Sequence, residues 1–511
     1  MKRSLGLLGA LGGLALIALH SAACSDDDPV VTTNPADAGS QTDTGSSTGT
    51  DSGNEAGGAV TLGDPTSACT DDDAAIYADP GAIPSGDENR GKILKCSKGT
   101  ELTKDALAAE LTRVGYAGKP PSTGAKVYKI TYVTTRGNAA HSPAVSSALV
   151  YAPTTPRAAG LPVVVTARGS RGQAARCAVS KHDPSLQGLN DDADRLNFSL
   201  VANGYAVIMP DLAGYVNFGA AGNPPSAYAG AEDVGRSTLD GSRALKAMFP
   251  TLGDKTVLVG HSQGGHSAFS ALSLAASYGA VSPIAGVAVY APLWFSQRTW
   301  AALLSSDIVE PNSYTTTNQE TASAVSIFYT YTHAELLDGP GEGLKLFQPA
   351  NQAFIKKFVE EGCYGENADL KAKTDYSYKL FDGIFAASVG QAGLGTCVDD
   401  LCKKWEARFL ADRPHLTGIA ATTPILLMYG GKDTTIPPGR MKCGLDYLHK
   451  DGATLSVCTE AEATHGTIIN TRGDYAADWI ASLTLGAAPP AACATGEETI
   501  TATCATPPPN D

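Results

Sequence analysis

One stretch restricts the fold more than any other. Thr256-Val257-Leu258-Val259 is a short apolar run leading into Gly260-His261-Ser262-Gln263-Gly264-Gly265, and residues 268–276 beyond it are helix-compatible. Apolar strand, glycine-flanked serine and helix, in that order, describe a strand–turn–helix unit with Ser262 at the tip of a tight turn. Side chains at 260 and 264 would collide with the neighbouring strand and helix, so glycine is needed at both. The strand aims the Ser262 hydroxyl out of the carboxyl edge of a sheet. The helix points its first N–H groups and its positive end at any oxygen held there. Gly-x-Ser-x-Gly alone is a weak signal in a chain with 55 glycines, and the flanking strand and helix give it weight.

The surrounding chain alternates. Lys126–Thr134 and Val145–Tyr151 look like an antiparallel pair. Leu161–Ala167, Tyr205–Asp211, Ile284–Ala291 and Thr423–Tyr429 are continuous apolar runs, as expected of strands covered on both faces, and Ala453–Thr459 reads as the last strand. Helical patterns at Asp192–Asn203, Glu232–Met248 and Ile468–Leu483 fall between or after them. This predicts right-handed crossovers and a mostly parallel, doubly wound sheet over residues 126–292 and 423–485. Residues 293–422 are too long for a loop. Their helical patches and aromatic clusters predict an inserted helical cap. Trp294, Phe295, Trp300, Phe328, Tyr329, Tyr331, Phe347 and Phe354 are expected mostly in its core, with a minority lining a pocket.

The ends read differently. Met1-Lys2-Arg3, the apolar stretch Leu5–Leu19 and Ser21-Ala22-Ala23-Cys24 read as an export signal over residues 1–23. A cut before Cys24 leads either to a lipid anchor on that cysteine, the preferred reading, or to an ordinary mature terminus. Residues 24–65 offer almost nothing to bury and read as a disordered tether. Residues 66–125 read as a lead-in carrying a helix at Leu102–Val114, and 486–511 as a loose tail. Setting Cys24 aside leaves ten cysteines, an even number that suits up to five disulfides in an exported protein. Near neighbours are expected to pair: Cys69–Cys96, Cys443–Cys458 and Cys493–Cys504. A net charge of −14 argues against a nucleic-acid partner. No Cys-x-x-Cys pair or His/Cys cluster suggests a metal, and no cofactor is expected.

A serine hydroxyl is a poor nucleophile until a base takes its proton, and the base works best when a carboxylate holds its tautomer. Behind a turn of this kind the acid and then the histidine follow the serine in the chain. Asp433, after an apolar strand and two glycines and before Pro437, is the candidate acid, with Asp446 second. His465, between the last strand and the last helix, is the candidate base. His449 lies in the helix-like stretch Met441–His449 and reads as a surface residue. An oxyanion needs two preset N–H groups. The candidates are the amides of Gln263, directly after the serine, and of Ser170, in Arg168-Gly169-Ser170-Arg171-Gly172.

These residues resemble the secretory lipase family of α/β-hydrolases over about residues 126–485. The likeness is carried by the Arg168–Cys177 loop, residues 208–214, Glu232-Asp233-Val234-Gly235-Arg236-Ser237, the serine turn, and the late Gly-Lys-Asp and Thr-His-Gly segments. It implies an α/β-hydrolase fold and an esterase or lipase acting on small-molecule or lipid esters, with a lid before the acid-bearing strand. From the export signal, membrane contact is expected only through a lipid anchor at Cys24. The family's oxyanion loop usually reads His-Gly-Thr, whereas Arg168 here brings a charge that could pair with a carboxylate of the protein or of the substrate. A serine peptidase on the same scaffold, using acidic cap residues such as Glu335, Asp338, Glu360 and Glu361, and a non-catalytic surface protein are the alternatives.

Overall fold

A computed structural model describes residues 61–504, apart from 183, 217–222, 295–296, 298–318, 367 and 374–376. The expected export signal, Cys24, most of the tether, Phe295 and Trp300 lie outside the described residues.

The chain runs β1 (Ile93–Lys98), α1 (Lys104–Arg113), β2 (Ala125–Thr135), β3 (Pro143–Pro153), β4 (Val163–Ala167), α2 (Gln187–Ala202), β5 (Val207–Pro210), α3 (Ala231–Met248), β6 (Thr256–His261), α4 (Gln263–Tyr278) and β7 (Ile284–Tyr290). After β7 come α5 (Gln319–Leu337), α6 (Gln352–Glu361), α7 (Gly383–Leu394) and α8 (Asp400–Ala411). The last elements are β8 (Ile425–Gly430), α9 (Pro438–Lys450), β9 (Leu455–Glu460) and α10 (Thr467–Thr484).

The strands form one nine-stranded sheet in the order β1-β2-β3-β5-β4-β6-β7-β8-β9. The pairs from β1 to β5 are antiparallel, and every pair from β5 to β9 is parallel. All residues of β4, β6 and β8 are buried, which is why those runs are apolar without alternation. The outer strand β9 is only partly buried. One strand escapes the sequence pattern. β1 lies in the expected lead-in, and its mixed Ile-Leu-Lys-Cys-Ser-Lys composition is that of a half-covered edge strand.

The described residues between β7 and β8 are mostly helical and share an apolar core that includes Phe328, Tyr331, Phe358, Phe385 and Trp405. Burying each such ring contributes about 1.5–3 kcal/mol, so this segment has a second centre of cohesion. Asp382 and Asp399 cap α7 and α8 by accepting from first-turn amides. Trp294 belongs elsewhere, packed between Phe269 of α4 and Tyr447 of α9. Asp412, just after α8, ties the helical segment to the sheet domain. Its Oδ1 accepts from the Ala231 amide at 2.8 Å, its Oδ2 from Tyr329 at 2.7 Å, and its carbonyl from His266 Nε2 at 2.8 Å.

Five disulfides join described residues: Cys69–Cys96, Cys177–Cys363, Cys397–Cys402, Cys443–Cys504 and Cys458–Cys493. The first agrees with neighbour pairing. The expected Cys443–Cys458 and Cys493–Cys504 pairs are not formed, because the tail threads past both partners. Thr459 of β9 donates to the Thr495 carbonyl at 3.1 Å, which sets Cys493 beside Cys458. Glu497 then meets Lys442 and His449 of α9 at 3.0 and 2.7 Å, which carries Cys504 to Cys443. Residues 486–504 are therefore strapped to the sheet domain, against the loose tail expected.

Candidate active site

Ser262 sits between β6 and α4 with φ 54° and ψ −120°. A left-handed φ at a non-glycine residue stores strain, and such positions cluster at functional turns. The flanking glycines are sterically required. A Cβ on Gly260 would lie 2.2 Å from the Gly264 carbonyl oxygen, and one on Gly264 only 1.9 Å from that of Ala167. Gln263 begins α4, so its amide is among the N–H groups that no helix carbonyl can satisfy.

Asp433 and His465 meet. His465 Nδ1 lies 2.8 Å from Asp433 Oδ2, and the Asp433 side chain is fully buried. Asp433 Oδ1 accepts from the Thr435 and Ile436 amides, each at 2.8 Å, so the carboxylate is locked by its own turn. The His465 loop rests on the serine turn. His261 Nε2 donates to the His465 carbonyl at 2.9 Å, and the two rings stand 4.7 Å apart. Among the described residues no hydrogen bond joins Ser262 Oγ to the His465 ring. Such contacts commonly tighten only when substrate is bound. The second candidates lie apart from this cluster. Asp446 pairs with Lys442 at 2.6 Å on α9, and half-exposed His449 pairs with Glu497.

The loop after β4 faces the same turn. The Ser170 amide has no partner among the described residues, while its Oγ lies 2.6 Å from the hydroxyl of buried Tyr228. Among the described residues no carboxylate pairs with Arg168. Its buried guanidinium donates to the Gly169 carbonyl at 2.9 Å, to Gln263 Oε1 at 3.1 Å and to the Asp211 carbonyl at 3.3 Å. It also lies 4.6 Å over the Tyr215 ring. The cation thus braces the loop against Gln263, the residue that follows Ser262. Farther along, Cys177 is bridged to Cys363 of the helical segment, and the Tyr364 amide donates to the Arg171 carbonyl at 2.8 Å. A cavity of about 1120 Å³ opens between Ala174–Arg176 and α6, lined by Arg176, Phe354, Phe358 and Glu361 but not by Ser262.

Known proteins with the same organisation decide what this arrangement belongs to. The profile of the alpha/beta hydrolase family matches residues 186–457, more than half of the chain. The chain belongs to the α/β-hydrolase family. Solved α/β-hydrolase structures share its fold. Lipase A of Candida antarctica in its closed state matches with a TM-score of 0.56 at 17% identity, over 84% of this chain and 90% of that one. The rice cell wall degrading esterase LipA of Xanthomonas oryzae matches with a TM-score of 0.56 at 18% identity, over 78% of this chain and 97% of that one. No curated protein sequence matches. Among the described residues of this α/β-hydrolase no group of acidic, histidine or cysteine side chains could hold a metal ion, and no helix is long and apolar enough to cross a membrane.

Two side chains at the hydrolase site, Tyr228 and Asp192, carry no signal that sequence reading caught. Tyr228 reaches Ser170 from 58 positions away, and Asp192 reaches Gly169 from 23 and His261 from 69. The only available hint was that His261 stands directly before the serine.

Proposed function

We propose that this α/β-hydrolase is an exported serine carboxylic-ester hydrolase. The observation that carries the proposal is the contact of buried Asp433 with His465, on a loop resting against the Ser262 turn. Asp433 accepts a hydrogen bond from His465 Nδ1–H, which leaves Nε2 free to act as the base. His465 takes the Ser262 proton as Oγ attacks the ester carbonyl carbon. The amides of Gln263 and Ser170 receive the oxyanion, and alcohol departs with the proton from His465. Water, activated by the same histidine, then clears the acyl-enzyme. The names of the structural neighbours, a lipase and an esterase, agree with ester substrates. Five disulfides suit an oxidising, extracytoplasmic setting; the Ser21-Ala22-Ala23-Cys24 box supports a lipid anchor at Cys24.

The peptidase reading needs a free acidic anchor. Glu335 is already held by the Gly341 and Gly343 amides, Asp338 by Arg408 and Lys404, and Glu360 by Tyr331, which leaves exposed Glu361 at the cavity beside α6 as the remaining anchor of the four. A fluorophosphonate probe is expected to label Ser262, and short-chain aryl esters to be hydrolysed faster than peptide amides. Peptide hydrolysis alone would sink the esterase reading, and intact protein that fails to label would sink the enzyme reading.

A further inference from the structure

The turn that presents Ser262 leans on a carboxylate 69 positions upstream of His261. Asp192, in the second turn of α2, accepts from the Gly169 amide through Oδ2 at 2.7 Å. The same oxygen faces His261 Nδ1 at 3.3 Å. His261 passes the contact on, since its Nε2 donates to the His465 carbonyl at 2.9 Å. The packing is close: a Cβ on Gly169 would lie 2.6 Å from Asp192 Oδ2 and 3.3 Å from His261 Nδ1. The side chains of His261 and Asp192 are 4% and 18% exposed, so water competes little for these bonds.

We propose that Asp192 and His261 form a positioning pair that sets the oxyanion loop and the base loop against Ser262 together. The proposal rests on the serine-hydrolase reading above. Neither side chain reaches a reacting atom. Asp192 fixes the amide next to Ser170, and His261 fixes the backbone of His465, while His261 itself precedes the nucleophile. Three parts of the site, drawn from separate regions of the chain, thus share one carboxylate. Both ring nitrogens of His261 are thus engaged, one by Asp192 and one by the His465 backbone. Arg171 Nη1 adds a positive group 3.8 Å from Asp192 Oδ1. Burial pushes the Asp192 carboxyl up, but His261, Arg171 and the Gly169 amide outweigh it and hold it at about 2. Charge-assisted bonds of this kind are roughly twice as strong as neutral ones. A displacement of about 1 Å in a catalytic group costs on the order of 100-fold in rate, which is the scale at stake.

The test measures kcat, KM and melting temperature on an aryl ester for D192A, H261F, H261Q and the double variant D192A/H261F, with the fluorophosphonate labelling rate alongside. D192A and H261F are each expected to lower kcat roughly 30- to 100-fold with KM within about threefold. The double variant should fall little below either single one, because the two act through one another. H261Q keeps an amide donor for the His465 carbonyl and should recover to within about tenfold of wild type. A kcat within threefold of wild type for D192A and H261F would overturn the proposal. So would losses that multiply in the double variant, or H261Q losing as much as H261F while all melt early. A wild-type protein that neither turns over esters nor labels at Ser262 would instead overturn the serine-hydrolase reading, and this role with it.

Discussion

Asp433 holds His465 with one carboxylate oxygen and its own turn with the other. Oδ2 lies 2.8 Å from His465 Nδ1, and Oδ1 accepts two backbone amides at 2.8 Å. The two tasks separate in Asp433→Asn, which keeps an acceptor for the turn but presents His465 with the wrong tautomer. The turnover number should fall by about 10⁴-fold while the melting temperature stays within a few degrees. Steady-state ester kinetics check this, and a loss under tenfold would place the acid elsewhere.

Gly264→Ala tests the turn itself. The new methyl would lie 1.9 Å from the Ala167 carbonyl oxygen and 2.3 Å from its carbon, and backbone of a buried strand does not give way. Destabilisation of at least about 3 kcal/mol is expected by urea unfolding, with activity lost in whatever remains folded. A stable, active G264A would contradict the turn geometry.

The hydroxyl pair at Ser170 and Tyr228 separates side chain from backbone. Tyr228→Phe removes the 2.6 Å contact and should cost about 1 kcal/mol of stability. Ser170→Ala leaves the proposed amide donor in place, so its kcat should stay within about tenfold of wild type, well short of the 100-fold or more that follows loss of an oxyanion donor. A larger drop in S170A would mean that the hydroxyl, not the amide, meets the oxyanion.

Cys177 and Cys363 are 186 positions apart. Closing so long a loop restrains the unfolded chain by about 5 kcal/mol in the chain-entropy account. The double variant C177A/C363A should melt at least about 5 °C lower by calorimetry. An unchanged melting temperature would show that the helical segment is held by its apolar contacts alone.

Asp192 also predicts an acid-side signature in stability. Its folded value, about 2, lies below the ordinary 3.8. Its contribution is therefore present above pH 3.8 and is lost as pH falls from there toward 2, and its full size is about 2 kcal/mol. Urea unfolding of wild type and D192N should differ by that amount near neutrality and converge on acidification. A gap that persists unchanged at low pH would assign the difference to packing.

Much of this was legible because it is local. The buried runs of β4, β6 and β8 announce themselves by continuous apolar character, and the serine turn by the glycines that sterics require at 260 and 264. Asp433 and His465, which the structure brings into contact, could be picked out as candidates because chain order restricts where an acid and a base can stand behind such a turn. What escaped is made across the chain. Nothing in the run Asn190-Asp191-Asp192 marks the residue that faces Gly169 and His261, and Arg168 looks like a free charge until Tyr215, Gln263 and Asp211 surround it. Neighbour pairing of cysteines failed where a third segment passes between the neighbours.

The strap formed by residues 486–504 has a consequence for the surface. β9 ends the parallel side of the sheet, and an end strand offers unpaired N–H and C=O groups to any extended chain that drifts by. The tail takes the Thr459 amide for itself and is riveted on either side by Cys458–Cys493 and Cys443–Cys504. It works as a selvedge, the bound margin that keeps a woven cloth from unravelling or catching on its neighbour. Reduction would leave the strand order intact but free that margin, so the damage would appear first as self-association between molecules.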